Sequence, residues 1–283
     1  MTNRRDFLKA LPLAPAISTL LAQGTPGFHL GSITYNVLKD HDLDGVIGIL
    51  EATGFEGVEL RTGHKHGVEP SLSAAERARV RKRFEKSKVR LVGYGANCEF
   101  HSPDAAERKK QVEAAKQFVD LARDTGARGV KVRPNDLPAG VPQETTIANI
   151  GACLRELGEY GAPRGVEIWL EVHGRQTSVP KIAAAIMEAT RHDNAGLCWN
   201  SNNVDIVNGS VEPSFRLLQK WIRHVHIHEL LKDAYPYREL FTLLRQAKYD
   251  RYTMAEVGAG AADPESYLRA YRNRWLELTG SKP

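Results

Sequence analysis

The stretch IRHVHIHE, residues 222–229, alternates between two kinds of side chain. Three histidines, His224, His226 and His228, stand at every second position, and a valine and an isoleucine separate them. Because successive side chains of a β-strand point to opposite faces, the stretch predicts a strand with one apolar face and one face of imidazoles. Taken alone, these histidines could be packed core residues, an exposed polar edge or part of a metal site.

Further β-rich runs recur along the chain, with amphipathic stretches between them. The eight runs are residues 28–37, 55–61, 89–96, 127–134, 166–174, 195–200, 222–229 and 252–258. Eight strand–helix units in roughly 255 residues predict an α/β fold of the (β/α)8 or TIM barrel type, with a doubly wound sheet as the alternative. The dinucleotide-binding form of that sheet is disfavoured, because no Gly-x-Gly-x-x-Gly follows the first run. No linker or low-complexity tract interrupts residues 25–283, so we expect one domain there.

Helix boundaries are marked by capping residues. Ser73 and Glu76 have capping-box spacing, and Asp104 should begin a long helix that reaches about Asp124. Asp263 followed by a proline should begin the last helix. Glycines are expected as C-terminal caps at three positions, namely Gly54, Gly126 and Gly161.

The N-terminus has the features of an export signal. Arg4 and Arg5 precede the sequence DFLK and a short apolar stretch that ends in small residues near Ala22–Gly24. This arrangement resembles the bacterial twin-arginine signal, although a chance arginine pair before an apolar helix is the alternative. We therefore expect residues 1–24 to be a signal peptide read by the twin-arginine export machinery. The protein would be periplasmic and would have no stable membrane anchor.

Charge and cysteine content exclude other classes. The net charge of +5 is mild, and no long basic run carries interleaved aromatic residues, so a nucleic-acid partner is not indicated. Three cysteines, an odd and sparse number for an exported protein, argue against a disulfide framework. The twin-arginine route carries folded proteins, which would suit a protein that acquires a metal before export.

Polar residues collect at the ends of the predicted strands, where barrel enzymes place their chemistry. In order they are Glu59, Arg61, Glu99, His101, Lys131, Arg133, Glu171, His173, Asn200, Asn203, His226, His228, Glu229 and Glu256. Many have i, i+2 spacing on strands whose other face is apolar, so they should face the barrel interior. Burying several carboxylates and imidazoles without compensation would be costly.

A divalent cation would supply that compensation. Glu171, Asn200, His226 and Glu256 come from four consecutive strands and offer three oxygen donors and one imidazole. This set suits one Mn²⁺ ion, with Zn²⁺, Mg²⁺ or Co²⁺ as alternatives. A buried salt-bridge network with protonated His226 would also satisfy the pattern.

Four segments in this order resemble the xylose isomerase-like barrels, also called sugar phosphate isomerases/epimerases. The segments are LEVHG (170–174), LCWNSNN (197–203), HVHIHE (224–229) and MAEVG (254–258). The resemblance implies that Glu171, His226 and Glu256 hold one divalent metal together with the residue at position 200. Family members usually have D-x-x-H where this chain has Asn200 and Asn203, so the ion should be held less tightly, or water should replace Asn200. Many also have H-x-K-D where this chain reads HIHE, which weakens phosphate recognition.

The resemblance implies a metal-dependent isomerase or epimerase that works through an enediolate. The expected export and the missing lysine favour an unphosphorylated sugar, keto-sugar or cyclic polyol as its substrate. Glu171 and Glu256 are the expected proton carriers, and His228 is a candidate acid for a leaving group. The expected substrate-binding residues are Glu59, His101, Lys131, Arg133, His173 and Asn203. Because elimination shares the first step of the reaction, a lyase or dehydratase acting on a keto-sugar, keto-glycoside or inosose stays open.

Two other classes are weaker. An endonuclease IV-like phosphodiesterase needs a histidine at the end of the fourth strand, where this chain has Arg133. A barrel that binds sugar without catalysis remains open because Asn200 stands where a charged ligand is usual. Whether the protein forms a homo-oligomer is not indicated by the sequence.

Overall fold

Eight parallel strands close into a barrel in chain order, and β8 pairs with β1. The computed structural model describes residues 27–232, 234–257 and 262–281, and the predicted signal peptide lies outside these residues. The strands are β1 His29–Ile33, β2 Gly57–Arg61, β3 Arg90–Glu99, β4 Gly129–Arg133, β5 Glu167–Glu171, β6 Ala195–Asn200, β7 Ile222–Ile227 and β8 Tyr252–Ala255. The predicted (β/α)8 barrel is confirmed.

A helix follows each strand and packs on the outside of the barrel. The helices are α1 Leu43–Thr53, α2 Ala74–Glu85, α3 Ala105–Thr125, α4 Gln143–Gly161, α5 Pro180–Thr190, α6 Glu212–Leu218, α7 Tyr237–Gln246 and α8 Pro264–Thr279. Short 3-10 turns cover Ala162–Arg164, Asn203–Asp205 and Gln219–Trp221. Within the described ranges, no helix is both long and apolar enough to cross a membrane.

The predicted helix starts are confirmed. The Ser73 hydroxyl accepts a hydrogen bond from the backbone N–H of Glu76 at 3.3 Å, and the Glu76 carboxylate accepts from the backbone N–H of Ser73 at 2.8 Å. Asp104 caps α3, and Asp263 caps α8 with a proline at its first position. These side chains satisfy N–H groups that have no partner within the helix.

Two of the three predicted glycine caps are confirmed. Gly54 and Gly126 follow α1 and α3 with φ of 74° and 83°. The prediction for Gly161 was wrong, because this glycine is the last residue of α4 with φ of −76°, and the left-handed glycine is Gly165 at φ 67°. Gly161 is small for another reason, since a Cβ atom there would lie 2.4 Å from the carbonyl oxygen of Val166.

Apolar residues fill the barrel interior below the polar layer. Trp169 lies across the interior and stacks on His224, with ring centroids 4.3 Å apart and planes 11° from parallel. Gly93 and Gly129 make room for the indole, because a Cβ atom at either position would lie under 3.0 Å from its ring carbons. The other buried members of this cluster are Ile33, Val92, Cys198 and Met254. The polar residues at the carboxyl ends of the strands therefore pack on this apolar cluster.

The three cysteines are buried and unpaired, as the sparse cysteine count predicted. Burial raises the pKa of each thiol to about 11, which keeps Cys98, Cys153 and Cys198 protonated at neutral pH.

Candidate active site

A cavity of about 400 Å³ opens at the carboxyl ends of the strands. Its walls come from strand ends and from the residues that follow them, which is where barrel enzymes bind their substrates. The lining residues are Tyr35, Arg61, Lys131, Arg133, Glu171, His173, Asn200, Asn202, His228, Glu229 and Glu256.

Three of the four predicted metal ligands converge at the base of this cavity. His226 Nδ1 lies 3.6 Å from Glu171 Oε1 and 3.2 Å from Glu256 Oε2. One ligand atom of each residue lies within 4.8 Å of the other two. Since these side chains come from β5, β7 and the residue after β8, the closed barrel brings them to a common point. Two carboxylate oxygens and one imidazole nitrogen form a donor set that fits a divalent cation.

Glu59 holds the His226 ring in the orientation that a metal ligand needs. Its Oε2 accepts hydrogen bonds from His226 Nε2 at 3.0 Å and from His224 Nε2 at 2.7 Å. The proton of His226 therefore lies on the Nε2 side, and Nδ1 faces Glu171 and Glu256. Carboxylates in this position orient metal-binding histidines and make them more basic.

The structure places Glu59 outside the cavity wall, and its expected role in substrate binding stays a prediction. Glu59 is 1% exposed and lies beneath the cavity, where it contacts two histidines and does not line the wall. Burial raises its pKa, but His226 and His224 hold the pKa well below its usual value, so Glu59 is ionised.

The balance of buried charge also fits a divalent cation. Glu59, Glu171 and Glu256 contribute three negative charges, and Lys131 contributes one positive charge. A divalent ion would balance the two charges that remain, whereas the metal-free site must recruit protons. Consistent with that demand, burial lowers the pKa of His226, but the carboxylates of Glu59 and Glu256 hold it well above its usual value.

Lys131 forms a buried ion pair with Glu171. Its Nζ donates to Glu171 Oε2 at 2.7 Å, and the two side chains are 6% and 3% exposed. Burial raises the pKa of Glu171, but Lys131 and His226 lower it well below the usual value. One carboxylate oxygen is thus committed to Lys131, and the other faces His226. Lys131 also lines the cavity, so the predicted substrate contact stays a prediction.

Asn200 bridges the metal-ligand cluster and His228. Its amide nitrogen donates to Glu171 Oε1 at 3.3 Å, and its Oδ1 accepts from His228 Nε2 at 2.6 Å. In this orientation the amide presents N–H groups to the cluster, so a direct metal contact through Oδ1 requires a half-turn of the amide. Whether Asn200 is a ligand stays a prediction.

His228 also contacts the candidate proton carrier Glu256. Its Nε2 lies 3.3 Å from Glu256 Oε2. Burial raises the pKa of Glu256, whereas His226 and His228 lower it to about 2. The three predicted catalytic residues, Glu171, Glu256 and His228, therefore line one cavity.

The remaining predicted substrate contacts divide into two groups. Arg133 and His173 line the cavity, and Arg133 is paired with Glu99 at 2.9 Å. His101 and Asn203 do not line it, and their expected substrate contacts stay predictions. Asn203 is exposed because the chain turns into a 3-10 helix at this residue, and the preceding Asn202 takes the place in the wall.

Sequence reasoning gave no role to several lining residues. Tyr35, Asn202 and Glu229 belong to this group, as does Arg61, whose spacing from Glu59 marked it as facing inward. Tyr35 could have been found by reading the end of the first strand as the other strand ends were read. Nothing in the sequence distinguishes Asn202 from the neighbouring Asn203.

Similar solved structures share this architecture at low sequence identity. The D-psicose 3-epimerase determined in the presence of D-fructose superposes with a TM-score of 0.75 and 16% identity, covering 89% of this chain and 100% of that one. The IolI protein with a bound zinc atom gives a TM-score of 0.74 at 17% identity, covering 89% and 98%. The probable 3-DHS dehydratase AsbF from Bacillus anthracis gives 0.70 at 14% identity, covering 88% and 98%. At these identities the likeness shows the fold.

No curated protein sequence is a significant match to this chain. A family model does match, over residues 47–277, which is most of the chain and includes all four segments of the candidate metal centre. The chain belongs to the family of xylose isomerase-like TIM barrels.

Proposed function

We propose that the protein is a divalent-metal-dependent isomerase or epimerase that acts on an unphosphorylated keto-sugar or cyclic polyol. The observation that carries the proposal is the convergence of Glu171, His226 and Glu256 at the base of a polar cavity. Family membership supports an enzyme of this kind, and the sugar epimerase and zinc-containing protein among the similar structures are consistent with it.

The reaction is the transfer of a proton beside a carbonyl group. A bound divalent ion would polarise that carbonyl and stabilise negative charge on its oxygen. Glu256 is the better placed of the two glutamates to take the proton, because its carboxylate is 18% exposed and lines the cavity. Glu171, with one oxygen on Lys131, returns a proton only if that contact loosens.

A lyase is the second candidate. His228 Nε2 lies between Asn200 Oδ1 and Glu256 Oε2, so this nitrogen carries a proton at the edge of the cavity. A proton held there could be delivered to a departing hydroxyl or alkoxide after Glu256 has removed the first proton. The similarity to a probable dehydratase is consistent with this outcome.

Deuterium exchange tests the shared first step. The Mn²⁺-loaded protein is incubated in D₂O with a panel of keto-sugars and an inosose, and deuterium beside the ketone is measured by NMR. We expect exchange in the wild type and its loss in Glu256→Gln. The matched control is Glu265→Gln, whose side chain is 52% exposed on α8. Absence of exchange with every carbonyl carbohydrate would reject the enzyme, and product analysis would separate epimer from dehydrated sugar.

Metal content tests the cofactor and separates an enzyme from a sugar-binding barrel. We propose Mn²⁺ because the donor set is dominated by oxygen. Elemental analysis should find about one ion per chain in the wild type and less in Glu171→Gln. A native protein that binds sugar without any ion would indicate a receptor.

We also propose export through the twin-arginine route, on the basis of the arginine pair at positions 4 and 5. Replacing both arginines by lysine conserves the charge but should abolish export if the pair is read specifically. Cell fractionation would measure the periplasmic share, and equal shares in the variant and the wild type would contradict the proposal.

A further inference from the structure

Of the three cationic side chains that line the cavity, two are paired with carboxylates and one is not. Lys131 is paired with Glu171 at 2.7 Å, and Arg133 is paired with Glu99 at 2.9 Å. Arg61 also lines the cavity, but among the described residues no carboxylate lies within ion-pair distance of its guanidinium. One cation in the wall is therefore available to a ligand.

Arg61 is held in place by neutral groups. Its Nη1 donates to His64 Nε2 at 3.2 Å, and its guanidinium carbon lies 5.2 Å from the centroid of the Tyr35 ring. His64 in turn donates through Nδ1 to the Thr34 hydroxyl at 2.8 Å, and the same hydroxyl accepts from the backbone N–H of Arg61 at 3.0 Å. This support fixes one edge of the guanidinium, and the described part of the chain offers no further hydrogen-bond partner to its other N–H groups.

His64 can serve as an acceptor because it is neutral. Burial and the adjacent Arg61 lower the pKa of His64 to about 4. At neutral pH its Nε2 therefore carries a lone pair, so Arg61 keeps its full positive charge. A carboxylate in place of His64 would have cancelled that charge.

The position of Arg61 sets its distance from the reacting end of a ligand. Arg61 ends β2, whereas the metal-ligand cluster comes from β5, β7 and β8. In a closed barrel ordered β1 to β8, β2 lies opposite β6, so Arg61 stands across the mouth from Glu171 and His226, whose strands flank β6. A ligand that reaches both must have its anionic group several bonds away from the carbonyl.

From this geometry we infer that the cavity selects a keto-sugar acid, with Arg61 binding a carboxylate remote from the ketone. The planar guanidinium fork matches the two oxygens of a carboxylate. The inference rests on the proposed function for the carbonyl carbohydrate and adds the anionic group.

Binding of two matched ligands tests the inference without turnover. 5-Keto-D-gluconate and L-sorbose share a carbon skeleton and ketone, and they differ in a carboxylate in place of a hydroxymethyl group. Calorimetric titration of the Mn²⁺-loaded protein should show tighter binding of the acid by about ten- to a hundredfold, the range for a hydrogen bond to a charged group.

Variants assign that preference to the residue. Arg61→Gln should abolish the preference for the acid, and Arg61→Lys should keep part of it, since the charge remains but the fork is lost. The control is Arg79→Gln, an arginine on α2 whose side chain is 71% exposed, which should keep the full preference. Circular dichroism establishes whether each variant is folded. If Arg61→Gln does not fold, the affinities of the wild type for the acid and the neutral sugar still test whether the cavity prefers an acid.

The outcomes separate this inference from the proposed function. Equal affinity of the wild type for acid and neutral sugar would overturn the inference, as would an unchanged preference in folded Arg61→Gln. Tighter binding of L-sorbose 6-phosphate than of the acid would overturn the assignment of a carboxylate. Deuterium exchange without acid preference leaves the proposed function intact, whereas acid preference without exchange on any ligand rejects only the enzyme.

Discussion

Glu59→Gln should weaken metal binding although Glu59 lies beneath the cavity and does not reach the proposed ion. The substitution keeps the shape of the side chain and one acceptor oxygen, so the contacts to His224 and His226 at 2.7 and 3.0 Å can persist. The substitution removes the negative charge that makes the His226 ring more basic and therefore a stronger metal ligand. Loss of such a supporting partner typically lowers metal affinity by about ten- to a hundredfold.

The same substitution should destabilise the metal-free protein. A hydrogen bond to a charged group is worth about 1.5–3 kcal/mol and a neutral one about 0.5–1.5 kcal/mol, so the two contacts together should lose about 2–3 kcal/mol. For a domain of this size, that free energy corresponds to a decrease in Tm of roughly 4–12 °C.

Two measurements with one control check this reasoning. Isothermal titration with Mn²⁺ gives the affinity, and thermal unfolding followed by circular dichroism gives the Tm. Glu265→Gln, an exposed change of the same chemistry, should alter neither. An unchanged affinity for Mn²⁺ in Glu59→Gln would refute the supporting role of the carboxylate in metal binding. If only the Tm decreased, Glu59 would have a structural role alone, as the partner of two histidines.

Three further changes test other parts of the structure. Lys131→Met leaves its carboxylate partner on β5 buried and unpaired, which should cost about 3–5 kcal/mol in the metal-free protein; a melting temperature equal to that of the wild type would contradict the buried pair. Burial raises the pKa of Asp205 to about 7, so its stabilising contribution is full below the unfolded pKa near 3.8 and is lost as the pH rises to about 7. Asp205→Asn should therefore gain stability relative to the wild type between pH 5 and pH 8, by at most about 3 kcal/mol, in urea unfolding at both pH values. Gly129→Ala, whose Cβ would lie 2.4 Å from the Trp169 ring, should lose about 1–3 kcal/mol, whereas Gly48→Ala, with open space on α1, should gain roughly 0.5–1 kcal/mol.

The barrel and the metal-ligand cluster could be predicted because both depend on local patterns. Alternation places Glu171 and His226 on the inward face of their strands, and parallel strands bring their carboxyl ends to one side of the barrel. The order of the strands follows from short right-handed connections. Convergence of the cluster therefore needed no knowledge of side-chain packing.

The depth of each inward residue could not be predicted in this way. Glu59 and Arg61 are two residues apart on the same face of β2, yet one lies beneath the cavity and the other in its wall. Depth depends on the stagger between neighbouring strands, including the register shift between β2 and β3 near Glu59. A single strand sequence does not contain that information, so the position of Glu59 beneath the cavity could not be predicted.

Loop geometry sets a similar limit beyond β6. Asn202 and Asn203 are chemically identical, and only the turn into the 3-10 helix decides which one faces the cavity. The amide of Asn200 is also shared between Glu171 and His228, a contact that depends on the relative positions of three strands.

The asparagine at position 200 can be understood together with Glu59. The resemblance to related barrels places an aspartate at position 200, which would add a fourth carboxylate to the three that are already buried here. With Lys131 as the only described cation inside this cluster, four carboxylates and a divalent ion would leave one uncompensated negative charge. Three carboxylates would leave none, and Glu59 would act on a bound ion indirectly, through the basicity of His226. Glu59 thus supplies a negative charge beneath the cluster, where it would strengthen His226 as a ligand without occupying a coordination position. Asn200→Asp should therefore bind Mn²⁺ more tightly in isothermal titration, and combining it with Glu59→Gln should return the affinity towards that of the wild type.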